Sequence, residues 1–460
     1  MKRDLLDRLL AQLKEKGLFH NDGKGGLYRY DSARGVWVVL AGVQGRRQLS
    51  KDVRKEGVDL RVGELDGLLG ELRENIDFTE PRLANTEATT LIAVSNGVVD
   101  IETGALRAHD PKLFLRNALN FTYQENVTEL PSGSAWYDFA RTSLGIKEAK
   151  VEDAERWTLF KEATMYALSS LGNAKKMIIL LGPPHSGKSV VLEFLEQIVD
   201  ESAWMPLTFS DMCHRFRGSM MEGIPLIICD EMPLTPLRRL DVIKKVISSN
   251  PVIIESKGVD PKKCRPMAKI VFAANNLPAL AEPDVGGAFA ERLLLVPFAD
   301  RQNDTDPHLV KKLWEDRHSF LSLAVNAMPR FIKDGLCFSR DGVGERILEE
   351  FKSNSFSLKN FVDECCVRKA GNRMCLSDFY GRYTDFCTAN MVMSVPRAEL
   401  KADLAQLGFP CERQRFKKGE NARQCVIGLA YKKVSDEEGC SEPSVAEGSS
   451  VADQKGGARG

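Results

Sequence analysis

Apolar and polar positions change period repeatedly along this chain, and each change marks an element. Met1–Leu10 places leucines on one face of a charged amphipathic helix. In Gly26–Leu40, Tyr28/Tyr30 and Trp37/Val39 alternate on either side of a turn, as a hairpin requires. Leu91–Leu106 reads as two short strands punctuated by Asn96-Gly97 and Thr103-Gly104. Residues 152–171 form a helix with Trp157, Phe160, Leu168 and Leu171 on one face, ending at Gly172. Apolar runs then recur at 177–181, 225–229, 269–274 and near 292–296, separated by helical stretches, and residues 306–351 are helical again. Such alternation predicts a mainly parallel sheet. Further on, helices are expected at Leu358–Val367, Ser377–Asn390 and Pro396–Leu407, with a hairpin over Cys411–Lys432. No internal repeat is apparent.

At 460 residues the chain is too long for one core. The expected organisation is multidomain α/β: a pre-motor α+β domain at 1–140, separated by the loop around Pro131–Ser134 from a P-loop domain at 141–350. A winged-helix unit at 351–433 and a disordered tail at 434–460, rich in Ser, Gly, Glu and Ala, complete it. Apolar content of 43% and charged content of 28% are those of an ordinary globular protein, which removes disordered and fibrous classes. Lys plus Arg and Asp plus Glu number 64 each, so any basic surface for nucleic acid must be local. No apolar run approaches the ~20 residues of a membrane span, and the charged N-terminus has no signal-peptide core, so a cytoplasmic location and no membrane partner are expected. The 11 cysteines include no Cys-x-x-Cys pair and begin at Cys213, while the last histidine is His318. Reduced thiols fit this pattern better than zinc ligands.

The chemistry concentrates in the second domain. The strand 177–181 runs into Gly182-Pro183-Pro184-His185-Ser186-Gly187-Lys188-Ser189, a complete P-loop. Its glycines let backbone N–H groups converge on phosphate, Lys188 reaches the β/γ-phosphates, and Ser189 ligates Mg²⁺. Val190–Val199 follows with Val191, Leu195 and Ile198 at helical spacing, so a helix N-terminus faces the phosphates. ATP and Mg²⁺ are therefore the expected cofactors. Pro225–Glu231 is an apolar strand ending in an acidic pair: Asp230 holds Mg²⁺, and Glu231 polarises the attacking water. Asn275, at the end of the 270–274 strand, is placed to bond the γ-phosphate and lytic water. Arg292, before the next strand, has the chemistry of a guanidinium finger for transition-state charge.

Walker A, Walker B, the Asn-terminated strand and Arg292-Leu-Leu-Leu-Val-Pro-Phe298 lie within about 120 residues. Together they resemble a superfamily 3 helicase, nearest the helicase part of the phage/plasmid and poxvirus-type primase-helicases. Leu27–Tyr30 with Gly35–Trp37, and Asn96–Gly104, resemble the segment ahead of that family's motor, and Phe356–Tyr431 resembles its winged-helix segment. The resemblance implies an AAA+-like motor that assembles as a hexamer, with ATP between subunits and Arg292 reaching a neighbour's site. It implies translocation 3′ to 5′ on DNA, in replication of a virus, plasmid or integrated element. No acidic primase triad precedes the motor, so primer synthesis is expected from a separate primase or initiator.

Independently, Val252–Arg265 reads as a strand, a turn and a basic return. Lys257, Lys262 and Lys263 at its tip would contact the phosphates of single-stranded or forked DNA without reading bases. Arg413, Arg415, Lys417 and Lys418, on the expected wing, form a second candidate DNA surface. The rival readings are a ring ATPase that remodels something other than a fork, and a non-catalytic origin-binding scaffold. Glu231 and Arg292 argue against the scaffold, since assembly alone needs neither water activation nor transition-state charge.

Overall fold

In the computed structural model, a five-stranded parallel sheet lies at the centre of the longer part of the chain. The structure describes residues 3–432 apart from 22–25, 76–88, 149, 215–216, 233–236, 257–258, 279, 281–286, 302–305, 356, 391–393 and 416–420. Its contacts divide it into two compact units, Met1–Ser357 and Leu358–Gly460. The architecture is mixed α/β.

The sheet comprises β1 (Met177–Leu181), β2 (Trp204–Pro206), β3 (Leu226–Cys229), β4 (Lys269–Ala274) and β5 (Leu293–Pro297), in the order β5-β1-β4-β3-β2. All four pairings are parallel. Every residue of β1, β4 and β5 is buried, which explains why these strands read as continuous apolar runs. The two faces take alternate residues. Ile178, Leu180, Val271, Ala273, Leu294 and Val296 enter one core, whereas Met177, Ile179, Leu181, Ile270, Phe272 and Leu295 enter the other.

Helix α1 (Lys188–Ile198) and the helices Glu155–Leu168 and Arg317–Lys333 contribute to the first core. The second is closed by α2 (Leu240–Ile247), the short helix Phe209–Cys213, and Ile347, Leu348 and Phe351 of α3 (Gly342–Ser355). Helix Glu155–Leu168 departs from the one-faced pattern expected of it: it is buried almost all round, and even Glu162 has no exposed surface. That carboxylate is matched by Arg330 and by the Ser339 N–H at 2.7 Å, as a charge in a core must be.

Ahead of the sheet, the expected hairpin pairs Leu27–Asp31 with Val36–Val39 and gains Phe19–Asn21 as a third strand. Leu91–Val94, Gly97–Asp100, Ala105–Arg107 and Ala118–Leu119 make a four-stranded sheet. Its Ile92, Val94, Val99 and Leu119 share the first core of the parallel sheet. Helices Gly42–Lys55 and Val62–Asn75 were not foreseen.

The second unit runs helix Ser357–Cys365, strand Cys366–Cys375, helices Leu376–Ala389 and Leu400–Gln406, then strands Cys411–Gln414 and Arg423–Tyr431. Its three strands form one antiparallel sheet with Arg423–Tyr431 in the middle. The helix expected to reach Val367 stops at Cys365: Cys366 and Val367 instead pair with Tyr431 and Ala430, a partnership invisible to local periodicity. The expected tail lies outside the described residues.

Candidate active site

The parallel sheet delivers the P-loop, the acidic pair and Asn275 to one end, because each follows the last residue of a strand. Gly182 is pinned there by its N–H to the Ala274 carbonyl at 3.1 Å, and a Cβ on it would lie 2.6 Å from the Phe298 carbonyl oxygen. Gly187, with φ +100°, caps the start of α1, and a Cβ there would lie 2.7 Å from Ser143 Oγ and 3.2 Å from the Phe139 ring. Only glycine meets both demands. Phe139 belongs to a packed aromatic core in which Trp136 stacks on Phe320 at 3.8 Å, so the loop rests on a firm base. His185 also sits at positive φ, 61°.

Lys188 is buried, and its ammonium donates to the carbonyls of Gly182 (2.9 Å) and Pro183 (2.7 Å) and to Ser186 Oγ (3.3 Å). Burial lowers its pKa, and the nearby Asp230 carboxylate opposes that shift. Ser189 Oγ donates to Asp230 Oδ1 at 2.8 Å, which joins the first turn of α1 to the end of β3 through two oxygens. Hard oxygen donors of this kind suit Mg²⁺, and the glycine cradle suits a phosphate chain. Glu231 and Asn275 are exposed beside these groups in sequence, and Ala274 pairs with Leu181, so Asn275 emerges next to Gly182.

A cleft of about 690 Å³ opens beside the loop. Gly182, Pro183, Pro184 and Asn275 form one wall and Val343, Ile347 and Phe351 of α3 another. Asp341 fixes that helix: its Oδ2 accepts from the Gly344 N–H at 3.0 Å, and its Oδ1 accepts from Arg156 Nε at 3.0 Å. Sequence reasoning missed this wall, although apolar residues at 343, 347 and 351 carry the helical spacing that would reveal it.

Arg292 lies elsewhere. It precedes β5, and the register pairs Leu293 with Met177 and Pro297 with Leu181, so it stands at the opposite end of the sheet from the P-loop of its own chain. Five strand positions span roughly 16 Å. Arg292 Nε donates to Ser248 Oγ at 2.9 Å, and its Nη1 bonds the Ala288 carbonyl.

The basic segment does form a two-stranded antiparallel hairpin, Val252–Ser256 with Val259–Cys264, but Lys262 and Lys263 are not at its tip: the register sets them opposite Ile254 and Ile253, on the return strand towards the base. Lys263 is exposed, whereas Lys262 is ion-paired with Glu222 at 2.6 Å. Lys257 lies outside the described residues. Arg413 and Arg415 are exposed in the second unit; Lys417 and Lys418 also lie outside the described residues. The same unit has a cleft of about 580 Å³ lined by Arg397, Lys401 and Arg423, cations that no sequence pattern singled out.

Residues 7–164 match the family model described as D5 N terminal like, and residues 180–288 match a family of unknown function (DUF5906). The first match covers most of the segment ahead of the parallel sheet. No curated protein matches the chain. Among solved structures it is similar to the apo NrS-1 C terminal region (305-718), at 10% identity, covering 93% of this chain and 100% of that one with a TM-score of 0.47. An A form apo structure of the same region has 10% identity, coverage of 91% and 98%, and a TM-score of 0.43. No helix among the described residues is long and apolar enough to cross a membrane.

Proposed function

We propose that the chain is an ATP-hydrolysing DNA helicase of phage-type replication, built on a P-loop AAA+-like motor of superfamily 3 with a C-terminal winged helix. The observation that carries this reading is the 2.8 Å bond from Ser189 to Asp230, which unites Walker A and Walker B beside Lys188. β4, which Asn275 follows, lies between the two Walker strands, an arrangement that supports a hydrolytic motor.

Bound Mg²⁺ would offset charge on the β- and γ-phosphates between Ser189 and Asp230. Lys188 exchanges its loop carbonyls for phosphate oxygens, and the N–H groups around Gly187 hold the chain. Glu231 takes a proton from the attacking water, and Asn275 orients that water. The apolar wall of α3 receives the nucleoside end and excludes solvent. Arg292 is too far from its own loop to help, so it acts on a neighbouring copy, which requires a ring. The hairpin and the exposed cations of the winged helix hold DNA phosphates, with single strands or forks as substrate and 3′ to 5′ movement by resemblance.

The test is ATP turnover with and without single-stranded DNA, for the wild-type chain and Lys188→Ala. Turnover that rises with DNA and vanishes in the variant supports the reading. Wild-type turnover indifferent to DNA points to a remodelling ATPase, and none at all to a scaffold.

A further inference from the structure

The turn after α2 carries more bonds than a helix end needs. Ser248 and Ser249 are 8% and 6% exposed, and Ser249 takes φ +52°, a conformation costly for a side chain other than glycine. Three distant parts of the chain converge there. Arg292 Nε donates to Ser248 Oγ at 2.9 Å. Asn173, ahead of β1, donates to Ser249 Oγ at 2.5 Å and to the Ile247 carbonyl at 2.8 Å. Arg265 Nη1 donates to the Ser249 carbonyl at 3.1 Å.

Arg265 is the first residue past the basic hairpin, and the hairpin's first strand begins at Val252, three positions after Ser249. Both legs of the hairpin are therefore tied to this turn, one by the chain and one by a hydrogen bond. Asn173 is backed by Tyr166, whose hydroxyl bonds Asn173 Oδ1 at 3.4 Å and accepts the Ala174 N–H at 3.0 Å. Lys269 Nζ lies 4.5 Å from the centre of the Tyr166 ring. That side of the turn is braced, and Arg292 and the hairpin meet its other sides.

We propose that the Ser248–Asn250 turn is the link by which the phosphate state of a neighbour's ATP site, felt by Arg292, is passed to the DNA-holding hairpin of the same chain. Ser248 is then a positioning residue for Arg292, and the Ser249 carbonyl with Arg265 is the hairpin's anchor. The link rests on the ring-motor reading above. A guanidinium drawn towards phosphate loosens its bond to Ser248 or drags the turn with it. With Ser249 in a strained conformation and Val252 already in a strand, little backbone is left between them to absorb the movement.

The experiment measures ATP turnover of the full chain against single-stranded DNA concentration for wild type, Ser248→Ala, Ser248→Thr and Arg265→Gln, with thermal melts of each. Ser248→Ala should reduce the ratio of DNA-stimulated to unstimulated turnover at least fivefold, with half-saturating DNA unchanged within twofold. Ser248→Thr, which keeps the hydroxyl, should restore the ratio. Arg265→Gln, at an exposed position, should lower the ratio likewise and gives the answer if Ser248→Ala fails to fold. A stimulated wild type with full stimulation in folded Ser248→Ala and in Arg265→Gln overturns the link alone. So does a loss that Thr fails to restore, or a loss in Arg265→Gln explained by a matching rise in half-saturating DNA. A wild type indifferent to DNA overturns the motor reading, and the link with it.

Discussion

At the level of single residues, the proposed motor would divide binding from chemistry between Lys188, buried on its own loop carbonyls, and Glu231, exposed next to Asp230. Glu231→Gln keeps every group that holds phosphate, so it should bind ATP within a few fold of wild type and turn over about 10²–10⁴ times more slowly. Isothermal titration beside a phosphate-release assay checks this; near-normal turnover would remove Glu231 from its role. The placement of Lys188 and Glu231 at one end of the sheet was legible because the P-loop and the acidic pair follow directly on apolar strands at fixed sequence spacing. Ser143 beneath Gly187 and Ser248 beside Arg292 were not, because each approaches its partner across the fold from an unremarkable stretch of chain. Asp403 was equally silent. It is 7% exposed, its Oδ2 has no hydrogen-bond partner, and burial together with Glu399 raises its pKa from 3.8 to about 6. The protonated form suits the fold, so its contribution is fully present below pH 3.8 and lost as pH rises through about 6. Asp403→Asn should therefore stabilise the C-terminal unit at pH 7.5 by on the order of 1 kcal/mol and have little effect at pH 4, read by calorimetry of the full chain.

Among the elements, the hairpin shows how local pattern and tertiary setting divide the work. Its strands and turn were readable from Val252–Arg265, yet the Lys262–Glu222 pair was not, because Glu222 belongs to a separate loop. That pair already offsets the charge of Lys262, so Lys263→Ala should weaken single-stranded DNA binding more than Lys262→Ala. Lys263→Ala should also reduce the slope of log affinity against log salt by about one phosphate contact. No effect of Lys263→Ala in a salt-titrated anisotropy series would take the hairpin out of the DNA path, and equal losses from the two variants would show that Glu222 does not offset Lys262. Four strands of the parallel sheet were legible as continuous apolar runs, but the edge strand Trp204–Pro206, three residues long and only partly buried, was not. Cys366 and Val367, expected to end a helix, pair instead with Tyr431 and Ala430 some sixty positions away.

For the molecule as a whole, the sheet register separates Arg292 from the P-loop of its own chain, so the proposed finger would have to act on another copy. Mixing Arg292→Ala into wild type should depress turnover more steeply than dilution alone, since each variant copy disables a neighbour; a strictly proportional fall would mean the guanidinium does not act across an interface. The order of the four Walker-region strands could be read along the chain, but the separation of Arg292 from Gly182 could not, because it depends on which ends of which strands lie side by side. The most direct test of an ATP-driven DNA motor is strand displacement from a forked duplex. With ATP, the wild-type chain should release the labelled strand while Glu231→Gln releases almost none. A chain that hydrolyses ATP briskly yet leaves forks of either polarity intact would contradict the account.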